Sequence, residues 1–130
     1  MRNLELAEQV LAAIEDDNKE DDSTLKLVMD TWAALYYTNP NTGWSCGTAA
    51  CLAGHVLIAA GGHVIGEDVI EMPGGHVRGL WIGKKAAELL GLRETELYDV
   101  RRGSLWSLAN DAAVARFREL IKAERARRSR

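Results

Sequence analysis

The chain has 130 residues, 47% of them hydrophobic and 27% charged, with 19 acids against 16 bases for a formal net charge of −3. That length suits one domain spanning 1–130 around a single core, and the balance excludes a disordered chain or a uniformly basic nucleic-acid binder. No apolar run reaches the roughly 18 residues a membrane span needs, and none follows a basic N-terminus as a secretion signal would, so the expected setting is the cytoplasm without membrane contact.

Leu4, Ala7, Val10, Leu11 and Ile14 recur at three- and four-residue spacing and predict an amphipathic helix over 3–15. A polar loop follows through Asp22. Ser23 or Asp22 is then placed to cap a second helix, with Leu25, Val28, Met29, Trp32, Leu35 and Tyr36 on its apolar face. Asn39-Pro40-Asn41-Thr42-Gly43 is turn chemistry. Ser45 stands where a cap belongs, and the uncharged residues from Cys46 to Ala60 predict a helix buried on all sides, stopped by Gly61-Gly62. Its small residues Gly47, Ala49, Ala50, Ala53 and Gly54 would let neighbours approach closely.

After Gly62 the period shortens. His63–Gly66, Val69–Met72 and His76–Trp81 read as short strands around the Pro73-Gly74-Gly75 turn. Ile82 to Leu90 returns to helical spacing with Gly91 as its stop, and Leu92 to Val100 gives another short helix. Asn110 or Asp111 caps a last helix carrying Val114, Phe117, Leu120 and Ile121, before a basic, fraying tail at 124–130. The resulting fold class is mainly α with minor β: a compact helical domain around a central helix at about 46–60, with a small β-hairpin insertion at about 63–81. Charge is unevenly spread: residues 1–22 hold eight acids and two bases, residues 116–130 seven bases and two acids, so the two ends either attract one another in the fold or mark separate faces.

The string Cys46-Gly47-Thr48-Ala49-Ala50-Cys51-Leu52-Ala53-Gly54, followed later by Ala86-Ala87-Glu88-Leu89-Leu90-Gly91-Leu92, resembles a group of small uncharacterised proteins of actinobacteria and their phages, mycobacteriophages in particular. The likeness covers residues 44–100. An aromatic residue often stands in that group where this chain has His55. No activity comes with the resemblance; it implies a phage- or actinobacterium-derived cytoplasmic protein, a setting where small proteins that bind a host protein without catalysis are common.

Four chemistries compete. Cys46 at a helix N-terminus would have an acidified thiol and nearby backbone donors, so a papain-like hydrolase would use Cys46 as nucleophile and His76 as base. No glutamine stands shortly before the cysteine, where such peptidases place one, and no Asn or Asp after His76 is well placed to orient its ring. Cys51 and His55, four residues apart, would share a helix face as metal ligands, but Cys46 would point about 140° away from Cys51. Arginines of the last helix, with Arg101 and Arg102, suggest contacts to nucleic-acid phosphates, against an acidic whole. The favoured reading is a non-enzymatic protein that binds another protein or a second copy of itself, without a cofactor. Its anchors would be the loop tryptophans Trp44 and Trp106 beside Arg101 and Arg102, because loop aromatics dominate binding energy.

Overall fold

A computed structural model describes residues 1–17, 25–29, 31–37, 46–99 and 103–129. Among these, the elements in order are α1 (Leu4–Asp17), β1 (Leu25–Leu27), β2 (Ala33–Tyr37), β3 (Cys46–Ala50), α2 (Leu52–Ala59), β4 (His63–Gly66), β5 (Val69–Met72), β6 (Gly75–Arg78), α3 (Leu80–Leu90), α4 (Glu94–Leu97), β7 (Tyr98–Asp99), β8 (Gly103–Ser104) and α5 (Asn110–Arg128). No helix among the described residues is long and apolar enough to cross a membrane.

The fold is α+β with helices predominating, which corrects the mainly α reading. The expected second helix is two strands, and the expected central helix begins as a third. Strand β3 lies in the middle of a sheet ordered β1-β3-β2, parallel to β1 and antiparallel to β2. Its residues Cys46 to Ala50 have conflicting preferences, Ala49 and Ala50 for helix and Thr48 for strand, so pairing on both edges decides their conformation. Apolar runs such as Leu35-Tyr36-Tyr37 satisfy helical spacing and a buried strand alike, and that ambiguity misled the periodicity. Asp16 and Asp17 of the expected loop belong to α1, while its residues 18–22, Ser23, Ser45 and the turn at 39–43 lie outside the described residues.

Cys51 has extended backbone and opens α2, whose residues Leu52 to Leu57 are all buried, as a helix without charge should be. Around it pack Ala7, Val10 and Ile14 of α1 and Ile82, Ala86 and Leu90 of α3, and Phe117 and Ile121 of α5, which lies against α1, complete the same core. The insertion is a three-stranded antiparallel meander, β4-β5-β6, with Ile70 and Met72 facing the core. Asp68 fastens it to the first sheet. Its Oδ1 accepts from Thr31 Oγ1 at 3.2 Å and the Trp32 amide at 3.1 Å, while its own N–H donates to the Ala33 carbonyl at 2.7 Å.

The N-terminal residues close the far end of α3. Arg2 and Asn3 donate backbone N–H groups to the carbonyls of Gly91 and Leu90, and the Asn3 side chain donates to Leu89. These are carbonyls a helix end leaves unpaired, and Gly91 supplies the left-handed stop at φ 64°. Asn3 also caps α1, accepting the Leu6 N–H at 3.1 Å. The Met1 ammonium is buried against Glu96 Oε1. Asn110, expected to cap α5, ties that helix to β1: it accepts the Met29 N–H at 2.8 Å and donates to Leu27 O at 3.0 Å.

The two oppositely charged ends do meet. Arg118 pairs with Glu15 at 3.0 Å and Arg125 with Glu8 at 2.9 Å, across α1 and α5. The helix α5 continues to Arg128, where Arg127 and Arg128 flank the buried Glu124.

Candidate functional site

Helix α3 is amphipathic with a fault at its start. Ile82, Ala86 and Leu90 recur every four residues and are buried; the same phase turns 81, 84 and 88 outward. Lys84 and Glu88 suit that face, but the first turn puts two large apolar side chains there. Leu80 is 80% exposed and Trp81 64%. Extended exposure of adjacent large apolar residues is the uncommon observation on a small domain surface.

Leu80 and Trp81 stand over two grooves, one on each side of α3. On one side, a groove of about 990 Å³ has Trp32 and Trp106 in its lining, Leu97 opposite, and Arg2, Lys84 and Arg93 around it. Here α3 comes close because residue 83 is glycine: a Cβ there would lie 2.9 Å from both Trp106 Cδ1 and Trp32 Cη2. On the other side, a groove of about 490 Å³ runs between β6 and α3, lined by Val77, Arg78, Trp81 and Lys85 among others. Lys84 Nζ lies 4.9 Å from the centre of the Trp81 ring, a cation–π distance. Among the described residues, the linings together hold five bases (Arg2, Arg78, Lys84, Lys85, Arg93) and one acid, Glu88. On a chain whose net charge is −3, this is a locally positive, partly apolar surface.

The cysteine chemistry looks different in place. Cys46 is in a central strand rather than at a helix N-terminus, which removes the dipole and the first-turn N–H groups that would have activated it; its side chain lies outside the described residues. His76 is on β6 in the other sheet, exposed, with Nε2 3.6 Å from Glu71 Oε2. Cys51 and His55 do come together, but through the backbone: the Cys51 carbonyl accepts from His55 Nδ1 at 3.0 Å, so the proton sits on Nδ1. Both residues are 2% exposed. Burial pushes the Cys51 thiol above its ordinary range despite backbone hydrogen bonds that favour the thiolate. Its Sγ–H points at the Trp32 carbonyl, 3.7 Å away, beside a chamber of about 190 Å³ shared with Thr31 and Trp106. Among the described residues, no group of three or more His, Cys, Asp or Glu side chains is arranged to hold a metal ion.

No family model matches the chain, nor does any curated protein or solved structure.

Of the expected anchors, Trp106 lines the larger groove, half-buried, while Trp44, Arg101 and Arg102 lie outside the described residues. Leu80 and Trp81 fall in the predicted strand His76–Trp81, with the predicted helix starting only at Ile82, so their exposure on α3 was not foreseen. The signal was present: extending the Ile82–Ala86–Leu90 phase back by one residue puts Trp81 on the charged face.

Proposed function

We propose that this chain acts without catalysis, by binding an acidic segment of another protein on the surface around α3. The observation that carries the reading is the adjacent pair Leu80 and Trp81, exposed beside five bases and one acid. Aromatic and aliphatic anchors ringed by charge are the anatomy of a protein interface, and the sign of the ring selects an acidic partner and speeds its encounter. The cytoplasm remains the proposed setting, supported by the unpaired, buried thiol of Cys51. Nucleic-acid binding through the last helix draws less support, since Arg118 and Arg125 face acids of α1 and Arg127 and Arg128 face Glu124.

Fluorescence anisotropy tests this with a labelled peptide combining glutamates and leucines, its lysine-for-glutamate counterpart, and oligodeoxythymidine. The acidic peptide should bind, more weakly as salt rises from about 50 mM to about 500 mM. Replacing Leu80 and Trp81 by serine should weaken it about tenfold or more, a loss of at least ~1.4 kcal/mol. Equal binding of both peptides, or preference for the oligonucleotide, would remove the proposal.

A further inference from the structure

The smaller groove has a free strand edge along one lip. In the order β4-β5-β6, only one edge of β6 is paired among the described residues. Strands β5 and β6 are joined by Pro73 and Gly74 alone, with Met72 opposite Gly75, Glu71 opposite His76, Ile70 opposite Val77 and Val69 opposite Arg78. In a two-residue hairpin the pair flanking the loop exchanges its backbone hydrogen bonds, and bonded and non-bonded pairs alternate from there. Gly75 and Val77 are therefore bonded to β5, while His76 and Arg78 turn their N–H and C=O groups outward. None of these outward groups is taken up by a backbone partner among the described residues. A row of such groups is a template for one more strand.

The side chains give that strand a pattern. Val77 packs toward the core beside Ile70, on the face shared with α3, and Trp81 stands across the groove from it. His76 and Arg78, both exposed, alternate with Val77 along the strand and border the same groove, with Glu71 already 3.6 Å from His76; Arg78 is placed to meet an incoming acid. An added strand alternates its side chains with period two, so apolar residues would fall against Val77 and Trp81 and acidic residues opposite Arg78. We propose that the groove between β6 and α3 takes an extended partner segment of alternating apolar and acidic residues, added as a fourth strand to β4-β5-β6. This rests on the binding reading above and specifies its mode. Main-chain bonds would supply affinity and the alternating side chains selectivity. A single nucleic-acid strand could stack on Trp81 and pair with the cations, but it has no use for donors and acceptors alternating along β6.

Backbone amide hydrogen exchange of the full chain tests the mode. The probes are a peptide alternating glutamate and valine, a twin N-methylated at every second residue, and oligodeoxythymidine. The unmethylated peptide should slow exchange at the His76 and Arg78 amides about tenfold or more, and the twin, which cannot pair, should leave them unchanged. Arg78→Pro, which deletes an outward N–H that an edge strand can lose, should bind less tightly than Arg78→Gln. If the methylated twin binds as well as the parent, the acidic-segment surface stands and strand addition falls. Should neither peptide bind, or the oligonucleotide alone protect these amides, both readings fall. Protection that grows with protein concentration and needs no peptide would assign the edge to a second copy and overturn the proposal.

Discussion

Glu96→Gln probes the most deeply buried charge pair among the described residues. The Met1 ammonium is fully buried, Glu96 is 9% exposed, and Oε1 accepts from that ammonium and from the Arg93 N–H, the latter at 2.9 Å. Losing one partner of a buried pair costs about 3–5 kcal/mol, because the other charge is left desolvated. Glutamine keeps an acceptor oxygen for the Arg93 N–H, so the lower end applies, about 3 kcal/mol. Against a total stability of about 5–15 kcal/mol, and at roughly 4 °C per kcal/mol for this size, the melting temperature should fall by about 12 °C. Urea denaturation should give the same loss with an unchanged m-value. The pH dependence has a defined sign. Burial pushes the Glu96 carboxyl up, but its hydrogen bonds to the ammonium and to the Arg93 N–H, with the neighbouring charges, outweigh burial and hold it below the ordinary carboxylate range. A depressed folded pKa gives stability that is present above the unfolded value of about 4.3 and lost as pH falls through the folded one. The gap between wild type and Glu96→Gln should therefore be full near neutrality and close as pH drops below about 4. A gap under about 1 kcal/mol at neutral pH, or one that does not narrow in acid, would show that the Met1–Glu96 pair does not stabilise the fold.

Gly83→Ala should cost about 1–3 kcal/mol in urea denaturation and shift tryptophan emission, since its Cβ would press on two indole rings at 2.9 Å; unchanged stability and emission would mean that the rings yield freely. Asp68→Ala removes an acceptor shared by Thr31 Oγ1 and the Trp32 amide, and about 2 kcal/mol should go with it. Amide exchange at Trp32 should quicken in that variant, and an unaltered rate would show the contact to be idle. Native Cys51 should react with iodoacetamide far more slowly than in urea, because burial both raises its thiol pKa and blocks access; rapid native labelling would reopen thiol chemistry at this position.

Helices with a polar side were legible from the sequence. Ala7, Val10 and Ile14 marked α1 through their spacing, and Gly91 ended α3 in the left-handed region as glycine allows. The uneven charge was legible too, and of its two readings, attraction or separate faces, the Glu8–Arg125 and Glu15–Arg118 pairs select attraction. What failed was the uncharged middle. Nothing local in Cys46–Ala50 separates strand from helix, and its state follows from β1 and β2, whose pairing is a property of the whole fold. Gly54 was noted as small, and its role is now concrete: a Cβ there would lie 2.7 Å from the Ala50 Cβ, where α2 turns back on the strand preceding it. The candidate surface was half legible. Aromatic anchors beside bases were expected, but at Trp44 and Trp106; the exposed pair Leu80 and Trp81 needed the true start of α3, two residues earlier than periodicity placed it.

Amide chemical-shift mapping measures directly where an acidic segment binds. Titrating the labelled full chain with the glutamate–leucine peptide should move resonances of Arg78, Leu80, Trp81 and Lys84, including the Trp81 indole, while α1 and α5 stay still. Shifts gathered on α5 or spread evenly over the surface, or no shift at saturating peptide, would contradict binding on the surface around α3.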